Sequence, residues 1–321
     1  MAGTTGPEPG AGGGEEVFER HRRLLFAVAY DMLGSVHDAE DCVQEAWLGW
    51  HRADRAAVGE PRAYLVRAVT NRALNKVRSA KARRETYIGP WLPEPLGAAP
   101  DAAERAEKAE EVSYALLVVL ETLGPVERAV FVLREVFGLP HAEIAAAVDR
   151  SEQAVRQIAR RARAHVKERR PRFAPDDAER RRLTERFLAA SLQGDVAGLK
   201  ALLAEDAQLV TDGGGKRRAA LRPIFGAAKC ARFLASLGPG YTDHRLEEVV
   251  VGGEPAGLLL GPDGSVEAMV TAEVADGLIT RMLVLRNPDK LGGFHAAAAG
   301  RGMRRVLNGG NTQPDSNLGK R

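Results

Sequence analysis

"LPHAEIAAAVDRSEQAVRQIARRARAHV", residues 139–166, reads as two helices crossing at a tight turn. In a helix-turn-helix a small residue in the first helix lets the second cross closely, and branched apolar side chains on the second fill the gap. Ile144 and Ala145 meet the first requirement, and Val155, Ile158 and Ala162 meet the second at spacings of three and four. The turn falls at Asp149-Arg150-Ser151. Asp149 stands where such turns usually have Gly, and Asp tolerates left-handed backbone better than most residues. Ser151 suits the N-cap of the second helix. This arrangement leaves Gln153, Arg156, Gln157 and Arg160 on the exposed side. Arg and Gln pair bidentately with guanine and adenine edges in a major groove. Arg161, Arg163 and Lys167 lie nearer phosphate, where they add affinity without sequence.

Working outward, charge is segregated along the chain. Residues 38–45 hold four acids (Asp38, Glu40, Asp41, Glu45) and no Lys or Arg. Residues 62–84 hold eight bases and no acid, and residues 150–172 hold nine bases against Glu152 and Glu168. The pattern points to one acidic docking surface and two polyanion-binding surfaces; solvated faces of an Arg-rich protein are the plainer alternative. At 321 residues, 45% hydrophobic and 5% aromatic, the chain has room for two or three soluble domains. No apolar run approaches the roughly 20 residues that span a bilayer, and the start "MAGTTGPEPGAGGG" lacks the segments of a signal peptide. Cys42 and Cys230 alone exclude a disulfide framework or a cysteine-built zinc site and suit a reducing cytoplasm. No cofactor or metal is expected.

Residues 15–85 read as helices, with Val43, Ala46, Trp47 and Trp50 forming an inward face and Asp38, Asp41 and Glu45 a separate acidic stripe. Gly59 and Pro61 mark a loop before a long basic helix. Residues 104–123 are expected to be helical, Gly124-Pro125 restarts the helix, and Gly138 caps it in left-handed conformation. From about residue 178 the texture changes to two helices hinged at Gly194-Asp195, then short strand-like runs: "AQLVTD", "LEEVVV", "AGLLLG", "VEAMVTAEV" and "LITRMLVLR". "GPDG" at 261–264 reads as a hairpin turn. The fold class expected is multidomain: all-α regions ending in a helix-turn-helix, then an α+β domain with a curved antiparallel sheet. Disordered tails are expected over 1–14 and 295–321.

"FERHRRLLFAVAYDMLGSVHDAEDCVQEAWLGWHR" resembles region 2 of bacterial sigma factors. "LETLGPVERAVFVLREVFGLPHAEIAAAVDRSEQAVRQIARRARAHV" resembles their region 4. With nothing similar to the intervening regions of primary sigma factors, the likeness is to the extracytoplasmic-function group. It implies region 2 over 15–85, a linker over 86–105 and region 4 over 106–172. It further implies that Asp38, Asp41, Gln44, Glu45 and Trp47 dock on core RNA polymerase, although Trp47 also reads as core. Arg62, Arg67, Asn71, Lys76 and Arg78 are implied readers of the minus-ten promoter element. Ser151, Gln153, Arg156, Gln157 and Arg160 are implied readers of the minus-thirty-five element.

Residues 178–294 resemble the SnoaL-like group, a cone of helices on a curved sheet. "WLPEPL" at 91–96, "DGGGK" at 212–216 and "NPDKL" at 287–291 resemble signatures of sigma factors with a fused SnoaL-like domain. The linker "IGPWLPEPL", residues 88–96, is too apolar for a passive tether. It reads as a docking element, with packing on region 2 alone as the alternative. Trp91, Leu92 and Pro93 on one side, and Asp212, Gly213, Gly214, Gly215, Lys216, Asn287, Pro288 and Asp289 on the other, are the expected regulatory contacts. "DGGGK" lacks the spacing of a phosphate loop, so its glycines are read as permitting close backbone approach.

The function expected is transcription initiation with core RNA polymerase and promoter DNA in the cytoplasm. No membrane takes part, the cone regulates in cis, and no separate anti-sigma factor is required. A regulator whose cone binds a small molecule is the alternative. An enzyme ranks third: Asp212, Asp243 and His244 are available for acid/base work, but no spacing makes them a dyad and they read as exposed turn residues.

Overall fold

The computed structural model describes residues 11–96, 112–169, 177–237, 240, 241, 243–294, 306 and 307. Three helices come first: α1 (Ala11–Leu33), α2 (Val36–Arg52) and α3 (Pro61–Glu85). Ser35 caps α2, its Oγ accepting from Asp38 N at 3.4 Å. Val43, Ala46 and Trp50 are buried as the helical spacing requires. Trp47 is only partly buried and stacks on His51 with ring centroids 5.4 Å apart. The Trp50 indole donates to Gly14 O at 2.7 Å, so ordered helix starts ahead of the expected boundary at residue 15. Residues 1–10 lie outside the described part.

The next helices are α4 (Tyr114–Leu120), α5 (Pro125–Phe131), α6 (His141–Val148) and α7 (Glu152–Arg169). Residues 97–111, where a helix was expected from 104, lie outside the described part; α4 begins behind its N-cap Ser113. The chain leaves α5 through a π-helical turn, Val132–Val136, where Phe137 N donates to Val132 O at 3.2 Å. Asp149 takes the left-handed conformation at the turn between α6 and α7, with φ of 53°.

Helices α5 and α6 pack against α3, and one continuous apolar core joins the two helical regions. A hydrogen bond from a buried ion pair crosses this seam. Arg128 Nη1 meets Glu121 Oε1 at 2.6 Å and also donates to Met32 O in α1 at 3.0 Å. Burial lowers the Arg128 pKa to about 10.

Helices α8 (Asp177–Gln193) and α9 (Val196–Leu202) precede a mixed sheet. Its strands are β1 (Leu203–Asp212), β2 (Ile224–Phe225), β3 (Arg245–Val251), β4 (Glu254–Leu260), β5 (Val266–Ala275), β6 (Leu278–Leu285) and β7 (Val306–Leu307), in the order β2-β1-β6-β5-β4-β3-β7. Every pairing is antiparallel except β1 with β6, which run parallel. This departs from the all-antiparallel sheet expected. Helix α10 (Ala227–Ala235) and the two-residue strand β2, both absent from the sequence reading, sit between β1 and β3. Strand β7 pairs Leu246 with Leu307, so the disorder expected over 295–321 does not hold at these two residues; the others after residue 294 lie outside the described part.

Alternate residues of each strand point to opposite faces. Leu209, Val270 and Met282 pack under α8 and α10, whereas Val210, Met269 and Leu283 face the other way. That second face is covered by Leu92 of the linker and by Tyr114 and Val118 of α4, together with Leu291 and Phe294. Burial on both faces explains why the strands read as near-continuous apolar runs. The cone is therefore packed into the helical regions and completes its core with their side chains.

Candidate nucleic-acid interface and interdomain clamp

Helix α7 is amphipathic in the sense its spacing requires. Val155, Ala159, Ala162 and Val166 are buried, and Ser151 Oγ caps the helix by accepting from Ala154 N at 3.2 Å. Ser151, Gln153, Arg156, Gln157 and Arg160 are all exposed. Arg156 is paired one turn back with Glu152, an exposed pair of small energetic worth that a DNA base edge can displace. Arg163 is different: it makes two hydrogen bonds to the Glu135 carboxylate, at 2.7 and 3.1 Å. The π-helical turn presents Glu135 there, so Arg163 is already engaged within the protein. Arg161 and Lys167 remain exposed.

On α3, Arg62, Arg67, Asn71 and Arg78 are exposed, while Lys76 turns inward to α2. Its ammonium lies 2.8 Å from Asp41 and 3.2 Å from Asp38. Burial works against the Lys76 charge, but these two bonds raise its pKa overall, and the same bond lowers the Asp41 pKa. The acidic stripe and the basic helix, separate in sequence, are thus partly matched to one another. Glu45 stays more than half exposed, 3.6 Å from Arg72. Gln44 and Trp47 line an open groove between α1 and α2 with Phe18, Phe26 and Val43. Tyr64, which sequence reasoning passed over, is exposed beside Trp50, one turn before Arg67.

The linker is held at both ends. On the helical side, Glu94 N donates to Gly34 O at 2.8 Å, Tyr30 Oη donates to Glu94 O at 2.6 Å, and the Glu94 carboxylate accepts from Val36 N at 2.9 Å. Tyr114 Oη donates to Pro93 O at 2.9 Å. Gly34, with φ of 62°, leaves room for Trp91 and Pro93, whose side chains would crowd a Cβ there at 3.1 Å. On the cone side, the fully buried Asp212 carboxylate accepts from Tyr87 Oη at 2.6 Å, Leu92 N at 2.8 Å, Gly214 N at 3.0 Å and Lys290 Nζ at 2.7 Å. Lys290 also donates to Leu92 O at 2.6 Å and stands 4.1 Å from the centroid of the Trp91 ring and 5.0 Å from that of Tyr87. Asn287 Nδ2 donates to Tyr87 Oη at 2.9 Å. Burial, then Asp212, raises the Tyr87 pKa.

These contacts sort the residues singled out from sequence. Trp91, Leu92, Pro93, Asp212 and Asn287 are in the clamp, and Gly215, with φ of 72°, lies against Ile88 of the linker. Gly214, with φ of 59°, lies against Asn287, and Gly213 packs on Arg217 O. Lys216 instead pairs with Asp289 at 2.6 Å across the surface of the cone. Pro288 opens the short 3₁₀ turn Pro288–Lys290. Lys290, Tyr87 and Glu94 were missed; the signal for Lys290 was its place within "NPDKL".

The acid/base candidates are not brought together. Asp212 is spent in the clamp and is not the exposed turn residue expected; Asp243 is exposed. His244 is largely buried with Nε2 3.4 Å from Glu267. No cluster of three metal-ligating side chains occurs among the described residues, and no described helix is long and apolar enough to cross a membrane.

Comparison with known proteins fits this division. Residues 17–83 match the family model of Sigma-70 region 2, and residues 113–166 that of Sigma-70 region 4. The chain is similar to the ECF RNA polymerase sigma factor SigJ of Mycobacterium tuberculosis, with 39% identity over 290 residues, 86% of this chain and 92% of that protein. Similarity to SigG of the same organism is 29% over 294 residues, 80% of this chain and 76% of the other. The crystal structure of SigJ aligns with a TM-score of 0.69 and 35% identity over 87% of this chain and 98% of the other.

Proposed function

The chain belongs to the extracytoplasmic-function RNA polymerase sigma factors, and on that premise we propose how its surfaces divide promoter recognition and its control. Sigma regions 2 and 4 serve promoter recognition and transcription initiation with core RNA polymerase. In our reading, Gln44, Glu45 and Trp47, with Asp38 and Asp41 behind them, dock on the polymerase. Arg62, Arg67, Asn71 and Arg78 read the minus-ten element. Gln153, Arg156, Gln157 and Arg160, on a helix capped by Ser151, read the minus-thirty-five element. Lys76 organises the α2–α3 pair and is not a DNA reader. Such an activity belongs to the cytoplasm.

The SnoaL-like cone controls the rest in cis. The observation that carries this reading is the Asp212 hub, which accepts hydrogen bonds from the linker at Tyr87 and Leu92 while held by Lys290 of its own domain. Regions 2 and 4 share one core here and are stapled by the linker, so two promoter elements meet them only after that packing rearranges. A tethered cone has a high effective concentration for its neighbours, so modest contacts suffice to hold one arrangement. Such a chain carries its own restraint and needs no separate anti-sigma factor.

In vitro transcription with core polymerase tests this on three forms: the full chain, a chain ending at residue 172 and a chain ending at Pro288, each checked for folding by circular dichroism. Complete removal should impair transcription, because the linker and α4 lose the sheet face they pack against. Ending at Pro288 strips Lys290, Leu291 and Phe294 and should raise it. Equal activity of all three folded forms would end the autoregulatory reading.

A further inference from the structure

The cone holds an apolar cavity that the promoter-binding surfaces do not use. It has a volume of about 80 Å³, bounded by Phe187 and Leu188 of α8, Leu234 of α10, and Leu259, Val270 and Val284 of the sheet. Roughly 10–15 Å³ on this measure holds one water, so a compact molecule on the order of ten non-hydrogen atoms fits. The polar atoms at its edge are almost all spent. Ser191 Oγ donates to Phe187 O at 2.8 Å. Arg286, the one cation among the described lining residues and nine-tenths buried, donates through Nη1 to Arg218 O at 2.7 Å and lies under the Tyr241 ring, 5.5 Å from its centroid. Its Nη2 stands 3.9 Å from Glu267, and its Nε is buried without a hydrogen-bond partner. A buried orphan donor on a cation is costly, and an acceptor oxygen placed there would relieve it.

Arg286 also ties the cavity to the clamp. Its backbone N–H donates to Asp212 O at 2.7 Å, and on β6 Val284 and Leu285 pair with Thr211 and Asp212 of β1. The β6 wall of the cavity is therefore hydrogen-bonded directly to the strand end that presents the Asp212 carboxylate to Tyr87 and Leu92.

We propose that this cavity is an effector site for a compact, largely apolar molecule, aryl or short aliphatic, carrying one acceptor oxygen for Arg286, and that its occupancy shifts the hold of Asp212 on the linker. The proposal rests on the reading of the cone as a regulator in cis. A ligand acts only through different affinity for the held and released forms, so binding and linker release must change together.

Three probes of similar size separate the parts: acetophenone with a neutral carbonyl oxygen, benzoate with a carboxylate, and toluene with no oxygen. Each is titrated into the full-length chain by ligand-observed NMR, with hydrogen exchange of the 87–96 peptide as the second readout. At least one oxygenated probe should bind more tightly than toluene by about tenfold or more, as expected for a hydrogen bond to a charged group. Which of the two binds tells whether the oxygen is neutral or anionic. Ala268 of β5 also lines the cavity, so Ala268→Leu, which fills it, should abolish binding of all three. Arg286→Met, which keeps an apolar stem but removes every donor, should erase the preference for oxygen. Linker exchange should change on saturation. The site is overturned if no probe binds at millimolar concentration, or if Ala268→Leu binds as well as wild type in a chain whose melting curve shows it folded. Binding without any change in linker exchange overturns the coupling. Failure here leaves the truncation result in transcription untouched, and failure there leaves the binding result standing, so the two readings fall separately.

Discussion

The backbone N–H of Leu92 donates to the Asp212 carboxylate at 2.8 Å, joining positions 120 residues apart in two different domains. Asp212 has no exposed surface, and among the described residues its carboxylate is met by hydrogen-bond donors and by one cation, Lys290. Asp212→Asn keeps the shape and one acceptor oxygen but leaves the Lys290 ammonium uncompensated. Removing one partner of a buried pair costs about 3–5 kcal/mol, and here the loss falls on the contact between linker and cone. Amides of residues 87–93 should exchange faster and the linker should become a protease target, while the far-ultraviolet dichroism of the chain stays the same. Unchanged exchange in this segment would mean that apolar packing of Leu92, not the carboxylate, holds the linker.

On α7, Arg156→Ala and Gln157→Ala should each weaken binding to a cognate minus-thirty-five duplex by about 1–3 kcal/mol and hardly affect random duplex. Arg161→Ala should weaken both alike and lower the salt slope by about one unit. Arg163→Ala should do neither in full, because its guanidinium is held by Glu135. Fluorescence anisotropy at several salt concentrations separates the four variants; equal losses on both duplexes for Arg156 and Gln157 would refute the assigned face.

Charge reversal separates docking from folding on α2. Glu45→Lys places a cation on an exposed position beside Arg72 and should abolish co-purification with core polymerase while lowering the melting temperature less than Asp41→Lys does. Asp41→Lys sets two cations beside each other at Lys76 and should lower the melting temperature as well. If Glu45→Lys still co-purified with core, the polymerase-facing surface would lie elsewhere.

Which parts were legible follows from what each part depends on. The helix-turn-helix rests on i, i+3 and i, i+4 spacing within one segment, and Asp149 at the turn is a local backbone choice; both are written in the sequence. The strands β3 to β6 were marked by their apolar runs and by "GPDG". Strand β2 and strand β7, two residues each, are too short to carry a period, and α10 follows β2 after Gly226 with no linker to announce it. That carboxylates hold Lys76 and Arg163 could not be read from the sequence, because the partner helix and the π-helical turn supply them. The linker's apolar side chains were conspicuous, but the identity of Lys290 as its main cation depends on a 3₁₀ turn that no spacing rule forecasts.

Asp31 gives a pH signature. Burial raises its pKa from 3.8 to about 8, so the folded chain keeps this proton where the unfolded chain has lost it. Its contribution to stability is therefore present below the unfolded pKa and declines as pH rises toward about 8, where it levels off. Asp31→Asn removes the titration while keeping the shape. The variant should match or exceed wild type at pH 8, by ~1 kcal/mol or more, and the gap should close as pH falls toward 4. Parallel denaturant curves between pH 4 and 8 would show that Asp31 is charged at no cost in the folded chain.

The Lys290 ammonium sits 4.1 Å from the Trp91 ring centroid, with the Asp212 carboxylate on one side and Leu92 O on the other. Trp91 also packs across Gly34 at the α1–α2 turn, so its loss alone mixes two effects. A double-mutant cycle isolates them. Trp91→Leu retains apolar packing at the turn but removes the ring face, and Lys290→Met retains the aliphatic stem but removes the charge. If the cation–π contact is part of the clamp, the two losses should be sub-additive by about 0.5–2 kcal/mol in the free energy of linker opening measured by hydrogen exchange. Lys290→Met should cost more than Trp91→Leu, because it leaves the Asp212 charge buried with neutral donors only. Both should alter transcription in the same direction as ending the chain at Pro288, since each loosens the same linker. Strict additivity, with Trp91→Leu the costlier change, would instead make Trp91 an anchor to Gly34 and region 2, and Lys290 a partner of Asp212 alone.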